Sequence, residues 1–229
     1  MARWSRGLLA IVVMLAASLA LVACSDDSDA STTTGGQGNA TERAFLSAMV
    51  PHHESAVEMA ELAQRRGGST FVRDLADAIV EDQRAEIAQM GDIHRRLFGT
   101  ELVPDETARE ELGLTAEQAG MGHMEDAMEM LATADPFDRA FVDEMVSHHL
   151  GAIAMAEAAL EGAEDAEVRE LAESIISAQR AEVGRMSAFR EEEYGVPPDT
   201  EAPAATTETL PSSTTEEAPT GAHGAGHDG

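Results

Sequence analysis

The sequence of 229 residues contains no lysine, a single cysteine and few aromatic residues. One cysteine excludes an intramolecular disulfide framework and a cysteine-based zinc site. Aromatic residues make up 3% of the chain, so the 43% hydrophobic fraction consists mainly of aliphatic side chains and methionine. This composition favours helix-on-helix packing over a β-sandwich, because β-sandwiches draw on β-branched and aromatic residues.

Positive charge is also scarce. The chain has 15 basic residues, all arginine, against 43 acidic residues, which gives a formal net charge of -28. A surface of this kind repels phosphate backbones, so nucleic-acid binding is excluded as a function. The same surface raises the local concentration of cations. A solvated acidic surface adapted to the cell exterior, without any binding role, is the favoured explanation of the charge.

The N-terminal segment predicts export and lipid attachment. A basic start precedes an apolar run over residues 8–21, which is shorter than a typical transmembrane helix. The segment then closes with Leu-Val-Ala-Cys, ending at Cys24, and this resembles the lipobox of bacterial lipoproteins. Residues 1–23 are therefore predicted to be a signal peptide, and Cys24 to be lipidated. The mature chain would lie in the cell envelope, outside the cytoplasmic membrane. An ordinary signal peptide with an incidental cysteine is the alternative.

Low-complexity sequence flanks a central region that has the composition of a folded domain. Residues 24–40 are rich in Ser, Thr, Asp and Gly, and they are predicted to form a flexible tether. Residues 195–229 form an acidic tail rich in Pro and Thr, which is predicted to be disordered. The folded domain is therefore predicted over residues 41–194.

An internal repeat occupies most of that domain. Residues 45–90 align without a gap on residues 141–186, at a constant offset of 96, with 20 of 46 positions identical. Each unit is predicted to be two helices joined by a turn. Two such hairpins predict an all-α, ferritin-like four-helix bundle, with a short helical insert over residues 100–134.

Capping residues predict the helix ends. Thr41 is predicted to cap the first helix, and Asp135 to cap the third with Pro136 in its first position. Thr115 and Gln118 resemble a capping box for an insert helix over residues 116–131. Glycines predict the ends of the long helices, at Gly67, Gly99, Gly162 and Gly195.

Histidine and methionine share one helix face in both units. At 100° per residue, the positions fall within an arc of about 120°. They are Met49, His52, His53 and Met59, and then Met145, His148, His149 and Met155. Imidazole and thioether are the soft ligands left when thiols are absent, and they suit copper, especially Cu(I) or its mimic Ag(I). Core packing is the competing explanation for methionine at helical spacing. Adjacent histidines are costly to bury without partners, and their recurrence favours a metal site in each unit.

Further candidates come from the insert and from the second helix of each unit. The insert adds three methionines on one predicted face, Met121, Met124 and Met128. Four polar residues recur at matching positions, Gln83 and Glu86 with Gln179 and Glu182. They either complete or orient the ligand shell, or they contact Arg84 and Arg180 between helices. His94 is interpreted as structural, and the tail residues His223 and His227 as weak binders at most.

These positions carry a family resemblance. Residues 49–60 (MVPHHESAVEMA), residues 137–149 (FDRAFVDEMVSHH) and the methionine-rich insert resemble domain-of-unknown-function family 305. The resemblance covers residues 41–194 and rests on a doubled His-His-x-x-Ala-x-x-Met-Ala pattern. That family has a ferritin-like helical-bundle fold and includes periplasmic copper-binding proteins. The resemblance therefore implies copper or silver as the bound ion, held by the paired histidines and by Met49, Met59, Met145 and Met155.

Three function classes follow from the sequence. The first is a lipid-anchored copper-binding protein for sequestration, tolerance or delivery, whose partners are the metal ion and the membrane. The second is a metal-free envelope module that recruits an unknown protein partner through its tail or acidic face. The third is a ferritin-like metal oxidase, which needs Glu-x-x-His motifs that the sequence lacks, so no enzyme is predicted. Histidine ligation also predicts an affinity that weakens below a pKa near ~6.5.

Overall fold

The described part of the chain, in a computed structural model, comprises residues 38–122, 124–196 and 198. Its helices are α1 (Ala40–Arg66), α2 (Thr70–Phe98), a 3-10 helix (Glu106–Leu112), α3 (Met124–Thr133), α4 (Phe137–Gly162) and α5 (Ala166–Tyr194). The long helices form two hairpins, α1–α2 and α4–α5, which confirms the predicted all-α bundle of repeated hairpins. The predicted signal peptide, Cys24 and the tail histidines lie outside the described residues. Within those residues, no helix is long and apolar enough to cross a membrane.

The two hairpins meet through their first helices, α1 and α4. The apolar interior divides into two clusters, each of which contains methionines from both hairpins. The first contains Met49, Met90 and Met155, and the second contains their repeat equivalents Met145, Met186 and Met59. The start of α1 therefore lies beside the later part of α4, and the start of α4 beside the later part of α1. The central helices are antiparallel, and a pseudo-twofold axis relates the hairpins.

A proline lies in the middle of α1 without ending it. Pro51 has no N–H, so it cannot bond the carbonyl of Ser47 one turn earlier. The backbone N–H of Asp105 donates to that carbonyl instead, at 2.9 Å. The carbonyl that Pro51 leaves free thereby holds the segment that follows α2.

Each hairpin caps the turn of the other. Glu42, in the first turn of α1, accepts hydrogen bonds from the backbone N–H groups of residues 164 and 165, at 2.8 and 2.6 Å. Its repeat equivalent, Asp138, accepts from the N–H groups of residues 68 and 69, at 2.8 and 2.7 Å. The two residues are 2% and 8% exposed. Because hydrogen bonds to buried carboxylates are strong, this exchange ties the ends of the hairpins together.

Two predicted helix starts differ from the structure. Asn39, not Thr41, caps α1: its side chain accepts from the N–H of Glu42 at 3.0 Å, and Glu42 accepts from the N–H of Asn39 at 2.7 Å. This reciprocal pairing moves the helix start upstream and leaves Thr41 in the first turn. In α4, Pro136 occupies the capping position itself, so Asp135 does not cap the helix. The predicted helix ends agree with the structure at Gly67, Gly99, Gly162 and Gly195.

The insert does not form the predicted helix over residues 116–131. Residues 116–120 form turns, and α3 begins only at Met124. Both hydrogen bonds of the predicted capping box are present between Thr115 and Gln118, at 3.0 and 3.2 Å. The helix cannot continue because Gly120 has a φ of +66°, outside the right-handed helical region. Met121 therefore precedes α3, and the predicted single methionine face is not formed.

Candidate metal centre

Four imidazoles meet where α1 and α4 pack together. His52 and His53 belong to α1, His148 and His149 to α4, and each residue is at most 1% exposed. The ring centroids of His52 and His148 are 3.8 Å apart. Those of the adjacent pairs are 6.2 and 6.3 Å apart. The structure therefore brings both predicted pairs into one group, called here the histidine cluster, whereas the sequence favoured a site in each unit.

The outer histidines of the cluster bond to carboxylates. Nε2 of His53 donates to Glu86, and Nε2 of His149 donates to Glu182, each at 2.7 Å. An ionised carboxylate is only an acceptor, so the proton of each ring resides on Nε2. Of the two interpretations open from sequence, Glu86 and Glu182 therefore orient the histidines. The arginines considered as their partners bond elsewhere, Arg84 to Glu61 and Arg180 to Glu157.

The two inner histidines, His52 and His148, also donate from Nε2. His52 donates to the backbone carbonyl of Ala119 at 3.0 Å, and His148 to Oγ of Ser55 at 2.7 Å. The hydroxyl of Ser55 donates its own proton to the carbonyl of His52, at 2.7 Å, so its oxygen serves His148 as an acceptor. All four rings thus direct an Nε2–H at an acceptor, and Nδ1 is the nitrogen that carries the lone pair of each ring in its neutral form.

Those four Nδ1 atoms are buried, and none has a hydrogen-bond partner within the described residues. Leaving a buried polar atom unsatisfied costs about 1–3 kcal/mol, so four in one cluster are a considerable unfavourable contribution. A cation bound at the lone pairs would remove that cost. Neutral imidazole with a free nitrogen is also the form that ligates metals. The residues present therefore fit a metal ion.

Burial keeps the rings of His52 and His148 neutral. The pKa of His52 falls from 6.5 to about 3, first because of complete burial and then because of the neighbouring His53 and His149, while hydrogen bonds with the backbone of Ala119 and His148 oppose the shift. The pKa of His148 also lies well below its usual value, first because of burial and then because of His52, His149 and His53. A proton therefore competes weakly for these two rings.

In the described residues, no group of three or more His, Cys, Asp or Glu side chains is arranged to hold a metal ion. Ligation at the cluster therefore requires thioether ligands or a rearrangement of the rings. The predicted methionines flank the cluster along the bundle: Met49 lies one turn before His52, and Met59 about two turns after it. All four repeat methionines are at most 1% exposed, and they are Met49, Met59, Met145 and Met155.

The repeat also aligns Met90 with Met186, which the predicted ligand set left out, and Gln83 with Gln179, which were candidates to complete or orient that set. Met90 and Met186 are fully buried members of the two methionine groups. Gln83 and Gln179 are 3% exposed, and neither amide has a hydrogen-bond partner within the described residues. Each lies one turn before the glutamate that orients a histidine. The matching positions of Met90 and Met186 in the repeat are the sequence signal that could have identified them as candidates.

The insert methionines do not form a common site. Met121 is buried with the first methionine group, whereas Met128 packs against the second. For Met124, the side chain lies outside the described residues. His94 is separate from the cluster: its Nδ1 donates to the carbonyl of Thr100 at 3.0 Å, and its ring packs on Phe98. This geometry agrees with a structural role for His94.

These features define a helical-bundle protein made of two hairpins with a buried histidine cluster between them. Residues 25–94 and 42–190 match the model of a family described as Domain of unknown function (DUF305). The chain belongs to this family. No curated protein matches the sequence.

Solved structures similar to this chain include those of CopM. Its Ag-bound form (by soaking) and its Cu(I)-bound form are each 29% identical with a TM-score of 0.56, covering 67% of this chain and 97% and 98% of CopM. CopM was also solved in a Cu(II)-bound form, at 28% identity. A DUF305 fragment from Deinococcus radiodurans is 29% identical, covering 68% of this chain and 98% of its own, with a TM-score of 0.53. A putative secreted DUF305 protein from Streptomyces coelicolor is 23% identical, with a TM-score of 0.61. The match covers 70% of this chain and 98% of that protein, and it supports the fold alone.

Proposed function

We propose that this protein binds Cu(I), and Ag(I) in its place, between α1 and α4, through the histidine cluster and neighbouring methionines. The observation that carries the proposal is the set of four buried Nδ1 atoms that have no hydrogen-bond partner in the part of the chain that the structure describes. Similarity to CopM, which was solved in Cu(I)-bound and Ag-bound forms, supports it.

The chemistry of the donors favours a soft ion of low charge. The interior offers neutral imidazole nitrogen and thioether sulfur, and both donor types suit Cu(I). A monovalent ion also loses less hydration energy on burial than a divalent one. Cu(II) prefers nitrogen and oxygen ligands, so it would use the imidazoles with the amide of Gln83 or Gln179, or a carboxylate, in place of the thioethers.

Burial of the donors supports sequestration. The four histidines and the four repeat methionines are almost fully shielded from solvent. An ion held there is protected from water and from competing ligands. The acidic surface, with a net charge of -28 for the chain, raises the concentration of cations around the bundle.

Nitrogen-15 NMR of the full mature chain, titrated with redox-inert Ag(I), tests the ligand atoms. We expect the Nδ1 resonances of all four clustered histidines to shift, while their Nε2 atoms stay protonated. His94 is an internal control, because its Nδ1 carries the proton given to Thr100. Elemental analysis would give the stoichiometry. Absence of Ag(I) and Cu(I) uptake, or shifts confined to His94 and the tail histidines, would refute the proposal.

We further propose that the protein acts outside the cytoplasm, attached to the membrane through lipidated Cys24. The basic start, short apolar run and Leu-Val-Ala-Cys ending support this. Cys24→Ser is expected to release the chain from the membrane fraction or to leave the precursor uncleaved. Fractionation and the mass of the N-terminal peptide measure this, with Ser31→Ala as the control. Unchanged processing and attachment in Cys24→Ser would contradict lipidation.

A further inference from the structure

The histidine cluster departs from its pseudo-twofold symmetry at one contact. The repeat aligns Ser55 of α1 with Gly151 of α4. Oγ of Ser55 accepts the proton of His148, at 2.7 Å. The symmetric acceptor for His52 would be a hydroxyl at position 151, which glycine lacks. The backbone carbonyl of Ala119 accepts in its place, at 3.0 Å.

The absence of a side chain at position 151 makes room for that carbonyl. A Cβ on Gly151 would lie 2.1 Å from the carbonyl oxygen of Ala119 and 2.4 Å from the nitrogen of Gly120. Gly120 itself has a φ of +66°, and a Cβ there would lie 2.8 Å from the carbonyl of Ser147. Glycine on both sides of the contact therefore allows backbone to meet backbone.

The segment that supplies the carbonyl is held in a fixed shape. Residues 115–121, called here the insert loop, bond internally from Ala119 N–H to the carbonyl of Thr115 and from Met121 N–H to that of Ala116, at 3.0 and 2.8 Å. The capping box between Thr115 and Gln118 closes its start. Ala119 is fully buried. The acceptor is thus positioned by the loop as a whole.

We propose that the Ala119 carbonyl is a positioning group of the metal site, admitted by Gly151. It holds the proton of His52 on Nε2 and so presents the Nδ1 lone pair to the ion. Without an acceptor there, the proton is free to occupy Nδ1 and block ligation. Acceptors of this kind fix the tautomer and orientation of metal-binding histidines. The part of this proposal that concerns the ion rests on the proposed function, whereas the part that concerns the tautomer of His52 does not.

Two substitutions at one position separate the acceptor from the packing. Gly151→Ala displaces the insert loop and supplies no acceptor. Gly151→Ser displaces the loop equally but adds the hydroxyl that Ser55 provides in the other unit. The controls are Gly184→Ala and Gly184→Ser. Gly184 lies on an exposed part of α5, where an added Cβ would have no heavy atom of the described residues within 4 Å. Gly120→Ala strains the loop from its own side, and it replaces Gly151→Ala if that variant does not fold.

Nitrogen-15 NMR of the metal-free chain reads the tautomer of His52, and competition with a chromophoric Cu(I) chelator reads affinity. In Gly151→Ala we expect mixed tautomers and an affinity lower by roughly 10–100-fold, the usual effect of losing such an acceptor. Gly151→Ser should restore both readouts, and the controls should match the parent chain. Equal impairment of the Ala and Ser variants, or none in the Ala variant, overturns the proposal. If the parent chain binds no Cu(I), the proposed function fails, and the tautomer readout still decides the role of Ala119.

Discussion

Replacing both histidines of one hairpin is expected to weaken Cu(I) binding at the whole cluster, instead of removing half of the bound copper at unchanged affinity. In the double variant His52→Gln, His53→Gln, the remaining pair on α4 loses the His52 ring, whose centroid lies 3.8 Å from that of His148. The methionine groups are also shared, since each draws on both hairpins. One site loses half of its imidazoles, and we expect affinity to fall by more than about 100-fold, or about 2.7 kcal/mol.

Stoichiometry and affinity together check this expectation. Elemental analysis counts bound copper, and competition with a Cu(I) chelator gives the affinity. The variant His148→Gln, His149→Gln should behave like the first because the site is shared. His94→Gln, which changes a buried histidine outside the cluster, should retain binding. Half the bound copper at unchanged affinity would instead indicate two independent sites, as the repeat alone suggested.

The second large effect is a loss of stability on acidification of the metal-free protein. The pKa of His52 is about 3 in the folded chain, against 6.5 as its ordinary value. Between these values the unfolded chain binds a proton that the folded chain does not. The free energy of unfolding therefore falls as pH drops from 6.5 toward 3, by about 1.4 kcal/mol per pH unit for one histidine. His148 acts in the same direction.

The effect can be measured by urea unfolding of the parent chain and of His52→Gln, with a chelator present and at pH values from 7 to 4. Each histidine removed should reduce the slope of unfolding free energy against pH by about 1.4 kcal/mol per pH unit. The variant should have the shallower dependence below pH 6.5. Its absolute stability does not matter, because the slopes are compared. Protonation of surface carboxylates affects both proteins and cancels. Parallel curves would mean that His52 is not held neutral by burial.

The hairpins could be predicted from sequence because their signals are local. Helical spacing, glycine stops and the constant offset of 96 residues all lie within or between continuous segments. The placement of one hairpin on the other has no such signal. Nothing near His52 in the sequence indicates that its ring centroid lies 3.8 Å from that of His148. One shared cluster therefore replaces the two separate sites that the sequence favoured.

Burial and backbone contacts were the other limits of sequence reasoning. An ordinary pKa near ~6.5 was assumed for the ligands, whereas burial moves that of His52 to about 3. The affinity contributed by His52 should accordingly persist to lower pH than the sequence suggested. The Ala119 contact uses a backbone carbonyl, a group that every residue has. Its one trace in the sequence is glycine at 151, where the repeat has Ser55.

The exchanged caps give the two halves the relationship of subunits. A single hairpin would leave the N–H groups of its own turn unsatisfied, since Glu42 serves the second hairpin and Asp138 the first. Two identical hairpins would satisfy each other across a twofold axis, as partners do in an isologous dimer. The chain thus has the architecture of a symmetric dimer fused through its insert. His52 and His148 are equivalent residues of the two repeats and their ring centroids are 3.8 Å apart, so both rings lie close to the pseudo-twofold axis, while the insert loop contacts α4 on one side only, at Gly151.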